Sequence, residues 1–163
     1  MIEKAQKSSK IGETLEYLEK GKNSKEKEST LEYLDRSDDN QIRELYSING
    51  HKISAQKGKE VASFFKASDV RIYNPETDQL SIKELHKMAK DIIDARSKQA
   101  GKKLGAVYAI HYRPDGSNKH IHIAFFGDEK SLKKSGRGKE WINKLDEIEL
   151  KYTKDEKERE KSN

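Results

Sequence analysis

The stretch Gly105 to Gly127, GAVYAIHYRPDGSNKHIHIAFFG, holds three of the five histidines of this 163-residue chain. Before its centre, Val107, Ala109, His111 and Arg113 alternate with Tyr108, Ile110 and Tyr112, the period-2 pattern of a two-faced strand. After it, His120, His122, Ala124 and Phe126 alternate in the same way with Ile121, Ile123 and Phe125. Asp115-Gly116 between the runs is a strong hairpin signal, and a two-residue loop there needs φ > 0 at both positions. Counting outward, His111 faces His120 and Ala109 faces His122, so all three imidazoles share one face. Opposed Cβ atoms lie roughly 4.5–5.5 Å apart, close enough for three rings to converge on one ion at about 2.0–2.1 Å per nitrogen. The plainer alternative is three polar side chains on a wet sheet face.

Three neutral imidazoles leave a divalent ion its full charge and open positions, suited to polarising a phosphoryl oxygen or activating water. The net charge of +5 and pI near 9.1 add a mild bias toward polyanions such as nucleic acid. A nucleophile for phosphoryl chemistry is Tyr17. Ile11, Leu15 and Leu18 form one helical stripe, and Tyr17 lies roughly 120° round from its middle, presented rather than buried. Tyr33 sits in a second copy of the same five letters, TLEYL, and periodicity does not choose between the two tyrosines. Lys130, Lys133, Lys134, Arg137 and Lys139 form a basic loop that either holds phosphates or is a solvated linker.

The remaining elements must position these groups. Lys20 to Ser29 reads as a charged connection, and Leu45 to Ser54 as a second hairpin around Asn49-Gly50, with His51 in a solvated role. Val61, Phe64 and Phe65 mark one helical face, and Val70 to Tyr73 a short strand ended by Asn74-Pro75. Ser81 and Glu84 make a capping box opening a helix through about Lys98. Ile82, Leu85, Ala89, Ile92 and Ile93 are its buried stripe, His86 is a packing residue at the edge, and Gly101 is its stop. The last helix buries Trp141, Leu145, Ile148 and Tyr152. The expected fold is α+β, an antiparallel sheet of about five strands with helices on one face and the histidines on the other. Residues 1–152 form the domain and 153–163 a charged tail.

Hydrophobic residues are 32% and charged residues 39% of the chain, so the core is lean. No apolar run approaches the ~20 residues of a membrane span, and the expectation is a soluble, cytoplasmic protein without membrane insertion. The absence of cysteine removes disulfides, thiolate metal sites and cysteine nucleophiles together.

His111, followed by Asn118, His120 and His122 before Ile123-Ala124-Phe125, resembles the three-histidine signature of conjugative and mobilisation relaxases, the HUH endonucleases. Lys7 to Leu18, KSSKIGETLEYL, is similar to that family's first motif, a polar stretch leading into a helix that bears the catalytic tyrosine. The resemblance implies an HUH relaxase-like fold and site-specific, strand-specific nicking of DNA at a plasmid or mobile-element transfer origin. By it, Tyr17 attacks the scissile phosphate to give a 5′-phosphotyrosyl link and a free 3′-OH, while His111, His120 and His122 hold Mg²⁺ or Mn²⁺. Single-stranded DNA is the implied partner, with accessory relaxosome and secretion-system coupling proteins. Lys119, Lys133, Lys134, Arg137 and Lys139 are the candidate DNA contacts, and Asn118 and Asp115 the candidate groups behind the ligands. Many relaxases carry an acid two positions after the first histidine, where this chain has Arg113; Asp115 is the nearest substitute. Replication-initiator and transposase-type HUH nucleases place the tyrosine after the histidines, where only Tyr152 is available. A nonenzymatic nucleic-acid binder and a hydrolase of small phosphoesters are the readings from other classes.

Overall fold

The computed structural model describes residues 2–6, 15, 16, 18, 19, 41–75 and 80–161. Tyr17 and Tyr33, like the expected connection after Lys20, lie outside the described residues. The elements in chain order are β1 (Ile2–Gln6), β2 (Ile42–Ser47), α1 (Ala55–Ala62), β3 (Ala67–Asn74), α2 (Ile82–Ala100), β4 (Gly105–Tyr112), β5 (His120–Gly127), α3 (Glu129–Lys134) and α4 (Gly138–Lys161). The described strands form one antiparallel sheet in the order β1-β3-β5-β4-β2, so the class is α+β. The two histidine strands are central and adjacent.

Sequence periodicity explains the main layer. α2 is opened by Ser81 and Glu84, each side chain bonded to the other's backbone N–H, and is closed by Gly101 at φ +79°. It buries Leu85, Met88, Ala89, Ile92 and Ile93 with α4's Trp141, Leu145, Ile148 and Tyr152 against Ala106, Tyr108, Ile110, Ile121, Ile123 and Phe125 of the sheet. α4 runs unbroken to Lys161, so the charged segment after Tyr152 continues that helix.

The other sheet face is not left to the histidines alone, which corrects the expectation of helices on one face. Leu15, Leu18, Ala55 and Ala62 pack there on Leu45, Val70, Ile72, Val107, Ala109, Ala124 and Phe126. The reason is the small side chains of α1. A Cβ on Gly58 would lie 3.0 Å from a Leu15 methyl, so glycine lets the helix and the Leu15 segment close together. Glu19 adds a polar tie by accepting from the Ala55 N–H at 2.7 Å. Phe64 and Phe65 do not extend this helix, which ends at Ala62. Phe64 is 85% exposed, and Phe65 lies over Gly105 and Phe126.

Two turns differ from their expected form. At Asn49-Gly50 the return arm makes only a single bridge, Tyr46 with Lys52, before Ser54 caps α1. In the central hairpin, Gly116 N–H donates to Arg113 O at 2.8 Å and Arg113 N–H to Ser117 O at 2.9 Å. Pro114 and Asp115 are therefore the turn's middle residues, and Gly116, not Asp115, takes the positive φ of 85°. Arg113 opposite Ser117 would set His111 against Lys119. One extra residue restores the register: Asn118, at φ 56°, is the only non-glycine with positive φ among the described residues and acts as a bulge.

Candidate metal centre

His111 pairs with His120, and Ala109 with His122, as the turn-based count required. All three imidazoles therefore stand on one sheet face at the hairpin end. His111 and His122 are fully buried and His120 is 3% exposed. Ring centroids are 4.2 Å apart for His111 and His122, 5.0 Å for His120 and His122, and 5.3 Å for His111 and His120. One nitrogen from each ring lies within 4.8 Å of the other two, close enough to hold a metal ion. Three nitrogens bound at about 2.0–2.1 Å to one ion lie roughly 3–3.5 Å apart, so binding would draw the rings inward.

Backbone carbonyls orient two of the rings. His120 Nδ1 donates to Asn118 O at 2.8 Å, which leaves the lone pair on Nε2. The Asn118 bulge thus sets both the register and the tautomer of His120, and the residue acts through its backbone. His111 Nε2 donates to Leu18 O at 3.1 Å, which leaves the lone pair on Nδ1. Asp115 does not serve as a group behind the ligands. Its Oδ1 accepts from Ser117 N–H at 2.9 Å and Ser117 Oγ–H at 2.6 Å, and these bonds hold its carboxyl below the ordinary carboxylate range. A side chain that closes its own turn is committed locally.

The basic residues divide. Lys119 immediately precedes His120 at the hairpin end. Lys133, Lys134, Arg137 and Lys139 follow the opposite end of β5, whose eight residues span roughly 23 Å from His120. α3 packs with α2, β3 and β5, and its Leu132 belongs to the core on the helix-covered face. The structure does not bring this loop to the histidines. Tyr152 is likewise remote, buried on the helix layer, donating to Asp91 Oδ2 at 2.6 Å, with burial raising its pKa.

Two site neighbours escape the sequence reading. Arg43 on β2 pairs with His111, and Asn74 lies one position beyond the Tyr73–Ile121 pair, beside His120. The alternation of Gln41, Arg43 and Leu45 against Ile42, Glu44 and Tyr46 was the available signal, but only the sheet order says which strand flanks His111. Leu18 was expected merely as core, and the contact of its carbonyl with His111 has no signature in sequence. His86 has the packing role expected, its Nδ1 2.8 Å from Tyr108 Oη and its ring edge-on to Tyr46.

No protein family, curated protein or solved structure matches the chain. Among the described residues, no helix is long and apolar enough to cross a membrane.

Proposed function

We propose that the chain is a DNA relaxase, a metal-dependent strand transferase in which Tyr17 attacks a phosphodiester of single-stranded DNA. His111, His120 and His122 hold the ion, Mg²⁺ or Mn²⁺. The observation that carries the reading is the bond from His111 Nε2 to Leu18 O, because Leu18 follows Tyr17 directly in the chain. The segment that bears the tyrosine is thereby fastened to the histidine cluster, across 93 positions of sequence. When bound, the ion supplies Lewis-acid polarisation of a nonbridging phosphoryl oxygen.

The bond changes balance without water. The phenol oxygen of Tyr17 forms a bond to phosphorus and loses its proton, the P–O3′ bond breaks, and O3′ gains a proton. One phosphodiester replaces another, so the nick can be rejoined. Leu18 O and Asn118 O hold His111 and His120 in defined orientations, and the buried Ile72, Ala109 and Val107 next to the cluster keep bulk water from that side. Tyr152, buried and bonded to Asp91, is no substitute nucleophile, which disfavours the initiator and transposase type. A transfer origin as substrate and cytoplasmic relaxosome partners belong to the same proposal.

The test is covalent capture. Wild type incubated with Mn²⁺ and pooled single-stranded DNA is expected to give an adduct that survives denaturing gel electrophoresis, carries label only from the 5′-phosphate side, and is absent with Tyr17→Phe. Mn²⁺-dependent phosphodiester cleavage that persists in Tyr17→Phe without an adduct would instead identify a hydrolase.

A further inference from the structure

The end of the sheet remote from the histidines carries a surface that the proposed chemistry does not use. α1 stops at Ala62 and the chain turns at once, with Ser63 Oγ–H donating to Glu60 O at 2.6 Å, Phe64 N–H to Val61 O at 3.3 Å and Phe65 N–H to Ala62 O at 3.0 Å. The two phenylalanines of this turn part company. Phe65 folds back so that its ring stacks on Phe126, centroids 6.0 Å apart, and takes the space that a Cβ on Gly105 would fill. Phe64 is left 85% exposed. A ring shown to water this fully adds nothing to core burial, while the anchored Phe65 beside it holds the turn that displays it.

Cations gather at this end. Ala67 pairs with Gly127 and Gly105 with Phe126. Lys66 immediately precedes Ala67, Lys103 lies two positions before Gly105, and both are exposed. Lys134 Nζ reaches the same end, 3.9 Å from where a Cβ on Gly101 would stand. Gln99 Nε2 donates to Arg137 O at 3.3 Å, which brings the basic loop to the C-terminal end of α2. Asp128 and Glu129 are each matched by a lysine, Lys102 and Lys133. Lys66, Lys103, Lys134 and Arg137 are left as surplus positive charge.

We infer that this end of the molecule is a second contact for single-stranded nucleic acid, with a base stacked on Phe64, the phosphates beside it held by Lys66 and Lys103, and Lys134 and Arg137 farther along the strand. A polyanion answers the charge. An unpaired base is the part of it that answers the ring, because base faces stack on aromatic side chains whatever the sequence, and a duplex keeps those faces covered. An anionic bilayer also answers the charge, but one protruding phenylalanine falls far short of the apolar face that an interfacial helix buries. The length of β5 separates this surface from His120, so the contact needs no metal. It rests on the proposed function only for the identity of the strand as DNA, which it would hold at a distance from the scissile phosphate.

A labelled oligothymidylate of about twenty nucleotides, titrated by fluorescence anisotropy with chelator present, isolates this contact from the histidines. Wild type is expected to bind it, and Phe64→Ala to bind about tenfold more weakly. The Lys66→Glu, Lys103→Glu double variant should bind more weakly too, with the salt dependence of log affinity shallower by about one unit. Lys83→Glu with Lys87→Glu makes the same charge change at exposed positions near the other end of α2 and should stay within about twofold of wild type. In Phe64→Trp the oligonucleotide should quench emission, against a background of one native tryptophan, Trp141, that is buried. Circular dichroism checks the fold of each variant. Equal affinity of wild type and Phe64→Ala, an equal loss in the two double variants, or a wild type that binds only with Mn²⁺ or not at all would overturn the inference. Emission from Phe64→Trp that responds to phosphatidylserine vesicles and not to the oligonucleotide would also overturn it, making the surface a membrane contact. The Tyr17 adduct and Mn²⁺ binding are measured separately, so failure here is distinguishable from failure of the proposed function.

Discussion

Backbone carbonyls at Asn118 and Leu18 do for His120 and His111 what carboxylates do behind many metal ligands: they fix the tautomer and aim the lone pair. A carbonyl is held by the chain's own geometry, so the conformation of Asn118 becomes part of the site. Its φ of 56° suits asparagine or glycine and strains a β-branched residue. Asn118→Gly is expected to keep Mn²⁺ affinity within a few-fold, whereas Asn118→Val should weaken it by roughly 10–100-fold; calorimetry on both variants checks the difference. The convergence of the histidines was legible from alternation and turn position. The turn itself was not, because Pro114 and Asp115 made the bend while Asn118 supplied the compensating residue. Two local departures cancelled, and the register survived them. Asp115 could not be judged from sequence because a carboxylate near the site and a carboxylate closing its own turn look alike in one dimension.

Among the elements, the segment around Leu18 is open to test by mutation, because contacts at its described residues fasten it. Leu15 lies against Gly58, Glu19 accepts from Ala55 N–H, and Leu18 O accepts from His111. Glu19→Ala removes the acceptor at the start of α1 and is expected to cost about 1 kcal/mol in urea unfolding. It should also lower the yield of the Tyr17 adduct while leaving Mn²⁺ affinity intact. At α2, burial holds the pKa of His86 below its ordinary 6.5. The fold therefore favours the neutral ring. As pH falls through about 6.5 the unfolded chain takes up a proton that the folded chain resists, so stability declines toward the lowered folded value and is flat above the ordinary one. Urea midpoints between about pH 7.5 and 5.5 should fall less in His86→Gln than in wild type. The helices α2 and α4 were readable because their stripes are long, and α2 has explicit caps besides. α1 was legible only in part: Val61 marked a helix there, but its buried face is Ala55, Gly58 and Ala62, residues whose small size permits close packing without advertising it.

For the molecule as a whole, a polar chain crosses the layers and ties the sheet edge to the helices. Fully buried Arg96 on α2 donates to Asp69 Oδ2 at 2.7 Å, Leu132 O at 3.2 Å and Ser135 Oγ at 3.2 Å, and lies 4.4 Å over the Phe125 ring. Asp69 also pairs with Arg71, Arg71 with Glu3, and Glu3 Oε2 accepts from Trp141 Nε1 at 2.7 Å. Asp69→Ala leaves the Arg96 charge buried and is expected to cost about 3–5 kcal/mol, much of it recovered when Arg96→Met is added; denaturant unfolding of the single and double variants decides. Sequence could not expose this chain of contacts, because Glu3, Asp69, Arg96 and Trp141 meet only once the sheet order is known. The same sheet order sets the histidines at one end of the hairpin and the basic loop of Lys133 to Lys139 at the other. Tyrosine transfer at this site requires first that the histidines be a metal centre. The direct measurement is a calorimetric titration of Mn²⁺ into wild type and into the His120→Ala, His122→Ala double variant. One ion bound per wild-type chain and none per variant is the expected result. Equal binding by both proteins, or binding by neither with Mn²⁺, Mg²⁺ or Zn²⁺, would contradict it.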